Sequence, residues 1–189
     1  MDYESDKPVQ LDDATLRNNG SEIRCYDYVN HRYDAVREAL TRDALTVFQS
    51  ATTAAASRAQ SVAAALHVDI SGMGITTDIN ISVKKIEEEV VDAGSTPATR
   101  LLLEWEAATE PRLFPFMKAD LSIYPLTATE TQLDFSGVYE PPFGVAGKVI
   151  NALVGHRIAE VSVHRFVSDV AGYLRQALAT SESHTQINR

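Results

Sequence analysis

The sequence predicts an α+β domain in which an antiparallel sheet of about six strands is covered by one long C-terminal helix. Three observations carry that prediction. Apolar residues recur with period two in successive stretches between residues 61 and 139, the pattern of strands buried on one face only. Pro141 and Pro142 end the last of these stretches, because proline offers no N–H to a ladder. The pattern then turns helical and runs without a further proline through Leu178, about 35 residues or roughly 50 Å of helix. A helix of that length needs a large partner surface, and the strands before it supply one.

Residues 1–20 are polar, contain Pro8 and the turn Asn18-Asn19-Gly20, and show no periodicity. They read as a flexible tail. Residues 22–30 are rich in β-formers (Ile23, Cys25, Tyr26, Tyr28, Val29) and predict a first strand. Asn30 or His31 is a candidate cap for a short helix with Tyr33, Val36, Arg37 and Leu40 at i, i+3, i+4, i+7. Asp43 is a second candidate N-cap, opening a helix with Leu45, Val47 and Phe48. The alanine-rich run 51–60 extends that helix or forms a connector.

From residue 61 the period is two. Ala64, Leu66, Val68 and Ile70 alternate with polar neighbours, and Ser71-Gly72-Met73-Gly74 signals a turn. Ile75, Thr77, Ile79, Ile81 and Val83 form the next face, with Glu87-Glu88-Glu89 at or beyond its exposed end. Leu101, Leu103, Trp105 and Ala107 share a face opposite Glu104 and Glu106. Met117, Ala119, Leu121 and Ile123 make another, ended by Pro125, and Thr131, Leu133, Phe135, Gly137 and Tyr139 make the last. No internal repeat and no alternating βαβ pattern is present. A single domain over 21–179 follows, with a second polar tail over 180–189.

The 189 residues suffice for one core, and 44% of them are hydrophobic. A net charge of −9 repels a phosphate backbone and weighs against nucleic acid as a partner. A single cysteine, Cys25, excludes an intramolecular disulfide and suits a reducing compartment. No signal-like N-terminus and no membrane-length apolar run is seen, so a cytoplasmic location without a transmembrane segment is expected.

Motifs for chemistry are sparse. His31, His67, His156, His164 and His184 have no metal-binding spacing, so neither a metal nor another cofactor is expected. Glu104 and Glu106 share a strand face and form a conceivable acid/base pair. That face is opposite Trp105, which makes it a solvated outer surface. Gly144 and Gly147 at the helix start indicate close backbone approach, with an anion at that helix N-terminus as the alternative.

The long helix carries one discriminating feature. Val163, Val167, Val170, Leu174 and Leu178 form a stripe. Extended backwards without a bend, it passes through Val145, Val149, Leu153, His156 and Glu160, placing a polar pair toward the sheet. If the helix bends or rotates near Gly155, the stripe Ile150, Val154, Ile158 and Val161 faces the sheet instead, and His156 and Glu160 face solvent.

The element order, the junction Pro141-Pro142-Phe143-Gly144 after the last strand, and the opening Tyr28-Val29-Asn30-His31-Arg32-Tyr33-Asp34-Ala35-Val36 resemble the helix-grip superfamily. This is the START-like or SRPBCC group of polyketide cyclase/dehydrase and lipid-transport proteins, and the resemblance covers about residues 21–179. It implies a curved sheet wrapped around the terminal helix, with an apolar cavity between them that holds a lipid, a polyketide-like compound or an isoprenoid. The cavity walls it implies here are Leu103, Trp105, Met117, Leu121, Phe135 and Tyr139 from the strands, and Val149, Leu153 and His156 from the helix. Two alternatives stand beside a pure binding protein. One is a cyclase/dehydrase-type enzyme using His156 or Tyr139 as acid/base. The other is a protein-interaction module with a closed cavity. Ligand identity, catalysis and oligomeric state stay open at the level of sequence.

Overall fold

A computed structural model describes residues 21–65, 79–89, 96–107, 116–140 and 152–187. The chain order is β1 (Ser21–Val29), α1 (Tyr33–Arg42), α2 (Ala44–Ala65), β2 (Ile79–Glu89), β3 (Ala98–Ala107), β4 (Phe116–Pro125), β5 (Thr131–Glu140) and α3 (Ala152–Ile187). The described strands form one five-stranded sheet in the order β1-β5-β4-β3-β2, antiparallel throughout. Strands β2 to β5 are a meander, and β1 lies beside the last of them. This α+β arrangement, a sheet with a long C-terminal helix on its inner face, is the one the helix-grip resemblance implies.

The described residues hold five strands where about six are expected. The alternation read from residue 61 begins inside α2, which is helical through Ala65. Ser61-Val62-Ala63-Ala64-Ala65 has high helix propensity from its alanines, and that outweighs a period-two pattern only a few residues long. The remainder of that expected strand, the turn after it and the tail over 1–20 fall outside the described residues.

The inner faces of the other strands follow the sequence pattern. Leu101, Leu103, Leu121, Ile123, Leu133 and Phe135 are fully buried. Strand β2 carries a bulge between Val83 and Lys85, which adds one residue locally and shifts the pairing. In β5, Gly137 is fixed by packing. A Cβ there would lie 2.9 Å from Phe135 Cε1 and 3.1 Å from Ala119 Cβ, so the missing side chain is what lets the Phe135 ring fold over its own strand.

Helix α1 buries Val36 and Leu40 as its spacing predicts, but its N-cap is Arg32, with no side-chain cap, instead of Asn30 or His31. Asp43 stands between α1 and α2, and its carboxylate accepts a hydrogen bond from Tyr173 Oη at 2.9 Å. Phe48 of α2 stacks on Phe166 of α3 with centroids 6.0 Å apart. Moving forward from Asp43, just before α2, to Phe48 within it moves backward in α3 from Tyr173 to Phe166, so the two helices are antiparallel. Helix α3 packs on α2, β1, α1 and β5, whereas α2 packs on β2. The sheet is thus shared between two helices. The expectation that only the terminal helix is long enough to cover it fails because the alanine-rich run 51–60 continues α2 to 22 residues.

On α3, Val163, Val167, Val170 and Leu174 are buried and Leu178 is partly buried, as the stripe predicts. Helix α3 continues past Leu178 to Ile187, into the span read as a polar tail. Its first half matches neither sequence version alone. Ile158 of the second stripe is buried, while Glu160 is ion-paired to Arg157 at 3.0 Å instead of to His156. Toward its C-terminus Arg175 binds Asp27 at 2.6 Å and also reaches the Tyr28 carbonyl, pinning α3 to the edge strand β1. Among the described residues no helix is long and apolar enough to cross a membrane.

Candidate functional site

The register brings Ile81, Trp105, Met117 and Tyr139 into one row across β2, β3, β4 and β5. This row lies toward the end of the sheet at which the chain leaves β5 for α3. Trp105 and Met117 are half-buried and pack against the core. Deeper in the sheet Leu103, Leu121 and Phe135 are fully buried. The expected wall residues therefore divide into a dry floor (Leu103, Leu121, Phe135) and a partly open rim (Trp105, Met117).

Trp105 is the hub of the rim. Its ring meets Phe166 edge-on at 5.1 Å and Phe135 at 5.8 Å, and Phe166 lies 6.1 Å from Phe135. Edge-to-face packing of this kind adds roughly 0.5–1.5 kcal/mol per pair beyond burial. The indole Nε1–H donates to Thr52 Oγ1 at 3.1 Å, satisfying the one polar atom of the ring and linking β3 to α2. Phe48, Thr52 and Phe166 thus belong to the same cluster, although sequence reasoning did not single them out as site residues. Phe166 was accessible from sequence, because it stands three residues after Val163 and four before Val170, neighbouring positions on one helix face. Thr52 had a fainter signal, a hydroxyl one turn after Phe48 in an alanine-rich run.

His156 lies on the first turns of α3, one turn before Ala159, which belongs to the core cluster. Its residue is half-buried. Its Nδ1 is sealed from solvent and has no hydrogen-bond partner among the described residues. Backbone register places Tyr139 and the helix places Leu153, whose side chains, like Val149 as a whole, fall outside the described residues.

Charged groups sit on the outer face. Glu104 is paired with Lys84 at 3.1 Å and with Lys118 at 3.9 Å, and Arg100 pairs with Asp120. A carboxylate held between two ammonium groups on the side away from Trp105 is a poor candidate for acid/base work on anything bound inside. Cys25 is buried and free. Burial, with Asp134 and Asp27 nearby, pushes its thiol up to about 12, so it stays protonated and is no nucleophile near neutral pH. Among the described residues no three His, Cys, Asp or Glu side chains gather as metal ligands do.

No protein-family model matches the chain, and no curated protein matches it. Among solved structures it is similar to the ZhuI aromatase/cyclase from Streptomyces sp. R1128, at 13% identity and a TM-score of 0.43 over 84% of this chain and 96% of that one. It is similar to Ara h 8.0201, at 7% identity and a TM-score of 0.39 over 82% and 97%. A conserved protein from Geobacillus kaustophilus aligns at 12% identity and a TM-score of 0.42 over 83% and 97%. The class of the molecule is set by its own topology, a sheet whose inner face is gripped by its C-terminal helix.

Proposed function

We propose that this chain binds a small hydrophobic molecule between the inner sheet face and the α2–α3 pair, without chemical turnover. The observation that carries the reading is the half-buried state of Trp105 and Met117. Both belong to the inner face and both pack on the core, yet neither is fully covered. A tryptophan gives a large rigid wall, and methionine adapts its shape to what it touches. Leu103, Leu121 and Phe135 form the floor beneath them. Apolar burial supplies about 25 cal/mol per Å² before the costs of association, enough for micromolar affinity from a small lipid-like molecule. Cys25 as a lone buried thiol suits the reducing cytoplasm as the place of action.

The aromatic cluster itself favours the competing reading, a closed interior serving as an interaction module. With Phe166 packed on Phe48, Trp105 and Phe135, and Trp105 on Phe135, part of the grip is already filled. An apolar fluorescent probe separates the two. Binding at about one probe per chain, weakened by Met117→Ala and untouched by Glu104→Ala on the outer face, supports the ligand site. Absence of binding, or equal effects of the two variants, favours the closed interior. Native mass spectrometry of protein purified from its own host then weighs the natural ligand.

A further inference from the structure

We infer that the outer face of the sheet, around Tyr26, Tyr28, Tyr124 and Asp134, is a docking surface for a basic segment of a partner protein, seated by an arginine. This face is opposite the apolar site above and does not depend on it. Helices α2 and α3 lie on the inner side, where Trp105 meets Thr52 and Phe166. Strand pairing sets Tyr28, Gln132 and Tyr124 in one row, and Tyr26, Asp134 and Ser122 in the next. These positions alternate with the buried Cys25, Leu133 and Ile123, so their side chains point outward. Tyr26 is 61% exposed and Tyr28 36%, and their rings meet edge-on with centroids 5.6 Å apart.

The charges of this face identify the occupant. Glu22 holds Arg24, Glu87 holds Lys85, Asp120 holds Arg100, and Glu104 lies between Lys84 and Lys118. Asp134 has no such cation among the described residues. It accepts a hydrogen bond from Tyr124 Oη at 3.4 Å, which is long for a hydroxyl donor. Arg24 is engaged by Glu22, and Arg175 by Asp27 and the Tyr28 carbonyl. Partial burial, then Tyr26 and the carboxylates of Glu130 and Asp27, raise the Tyr28 phenol, so it stays neutral. A carboxylate without a counter-ion beside exposed aromatic faces suits a guanidinium: the carboxylate accepts its N–H groups while the rings stack on its plane. Arginine fits better than lysine, because its fork is planar and less strongly hydrated. The net charge of −9 attracts a basic partner and opposes a second copy of this chain.

The test titrates the full chain into fluorescein-labelled hexa-arginine and hexa-lysine at low salt and reads fluorescence anisotropy. Hexa-arginine should bind more tightly than hexa-lysine. Tyr26→Ser and Asp134→Asn should each weaken hexa-arginine about two- to fivefold. Glu104→Gln removes one charge from the same face, away from the tyrosines, and should leave the affinity unchanged. Equal losses in Asp134→Asn and Glu104→Gln would mean that the peptide follows net charge alone, and overturn the inference. So would unchanged binding by Tyr26→Ser, equal affinity for the two peptides, or no binding at all. A concentration-dependent dimer of the full chain that Tyr26→Ser abolishes would seat a second copy on this face and overturns it as well. If either variant does not fold, NMR shifts of the unmodified protein decide. Changes at Tyr26, Tyr28 and Asp134 on adding hexa-arginine support the surface, and changes confined to other residues remove it.

Discussion

Gly137 shows how one residue can decide the shape of the interior. Glycine to alanine in a strand ordinarily stabilises a protein by restricting the unfolded chain. Here the added Cβ meets the Phe135 ring at 2.9 Å and Ala119 at 3.1 Å, both within a packed floor. Gly137→Ala is expected to destabilise by about 1–3 kcal/mol through overpacking, measured by denaturant unfolding. A gain in stability would mean that the Phe135 ring moves aside freely. Cys25 gives a second prediction at this scale. Its thiol is raised from 9.0 to about 12, chiefly by burial. An acid whose pKa is raised by folding favours the folded state while protonated in both states. That contribution is complete below about pH 9 and is lost as pH rises toward 12. Cys25→Ala should therefore flatten the alkaline decline of stability between those limits, and an unchanged slope would assign the decline to the tyrosines alone. Neither residue's role was legible in the sequence. Alternation put Gly137 on the inner face and named Cys25 only as a β-former of the first strand, and which ring leans over the glycine depends on a side-chain rotation that period-two patterning does not encode.

At the scale of elements, legibility followed the length and clarity of each pattern. The faces of β3, β4 and β5 were readable because inner apolar and outer polar residues alternate over about ten residues each. The C-terminal half of α3 was readable for the same reason at helical spacing. The first half was not, since two apolar stripes compete there and α2 supplies a second surface to bury against. Residues 61–65 illustrate the opposite failure, a short alternation of small residues that a helix accommodates as easily as a strand. Two substitutions test the packing that resulted. Leu174 is fully buried at the centre of the readable stripe, and Leu174→Ala should cost about 2–5 kcal/mol through lost burial and a cavity. Thr52→Val keeps the shape of the α2 contact but removes the acceptor for Trp105 Nε1–H. A loss of about 1–3 kcal/mol is expected for an indole N–H left unpaired, and a neutral result would show that Trp105 finds another acceptor.

At the scale of the whole molecule, the inner sheet face is fully buried at Leu103, Leu121 and Phe135 and only half-buried at the Trp105–Met117 row. The far end is closed by Arg175 on Asp27 and Tyr28, and by Tyr33 Oη against Thr99 Oγ1 at 2.7 Å. The rim at Trp105 and Met117 lacks full cover. A fold with that asymmetry should respond to ligand as a unit, because the three described helices and the five described strands all contribute to one core cluster. A molecule that binds only the folded state stabilises it by about 2.7 kcal/mol at a hundredfold excess over its Kd. For a chain of this size that corresponds to a rise of roughly 5–10 °C in melting midpoint. The apolar probe should produce that rise in the unmodified protein and in Glu104→Ala. Met117→Ala should show a smaller rise at the same probe concentration, while its own ligand-free midpoint reports the packing it has lost. Should the probe leave all three midpoints where they were, the interior is closed to ligands, and the half-buried rim is then better explained as the contact surface of a protein partner.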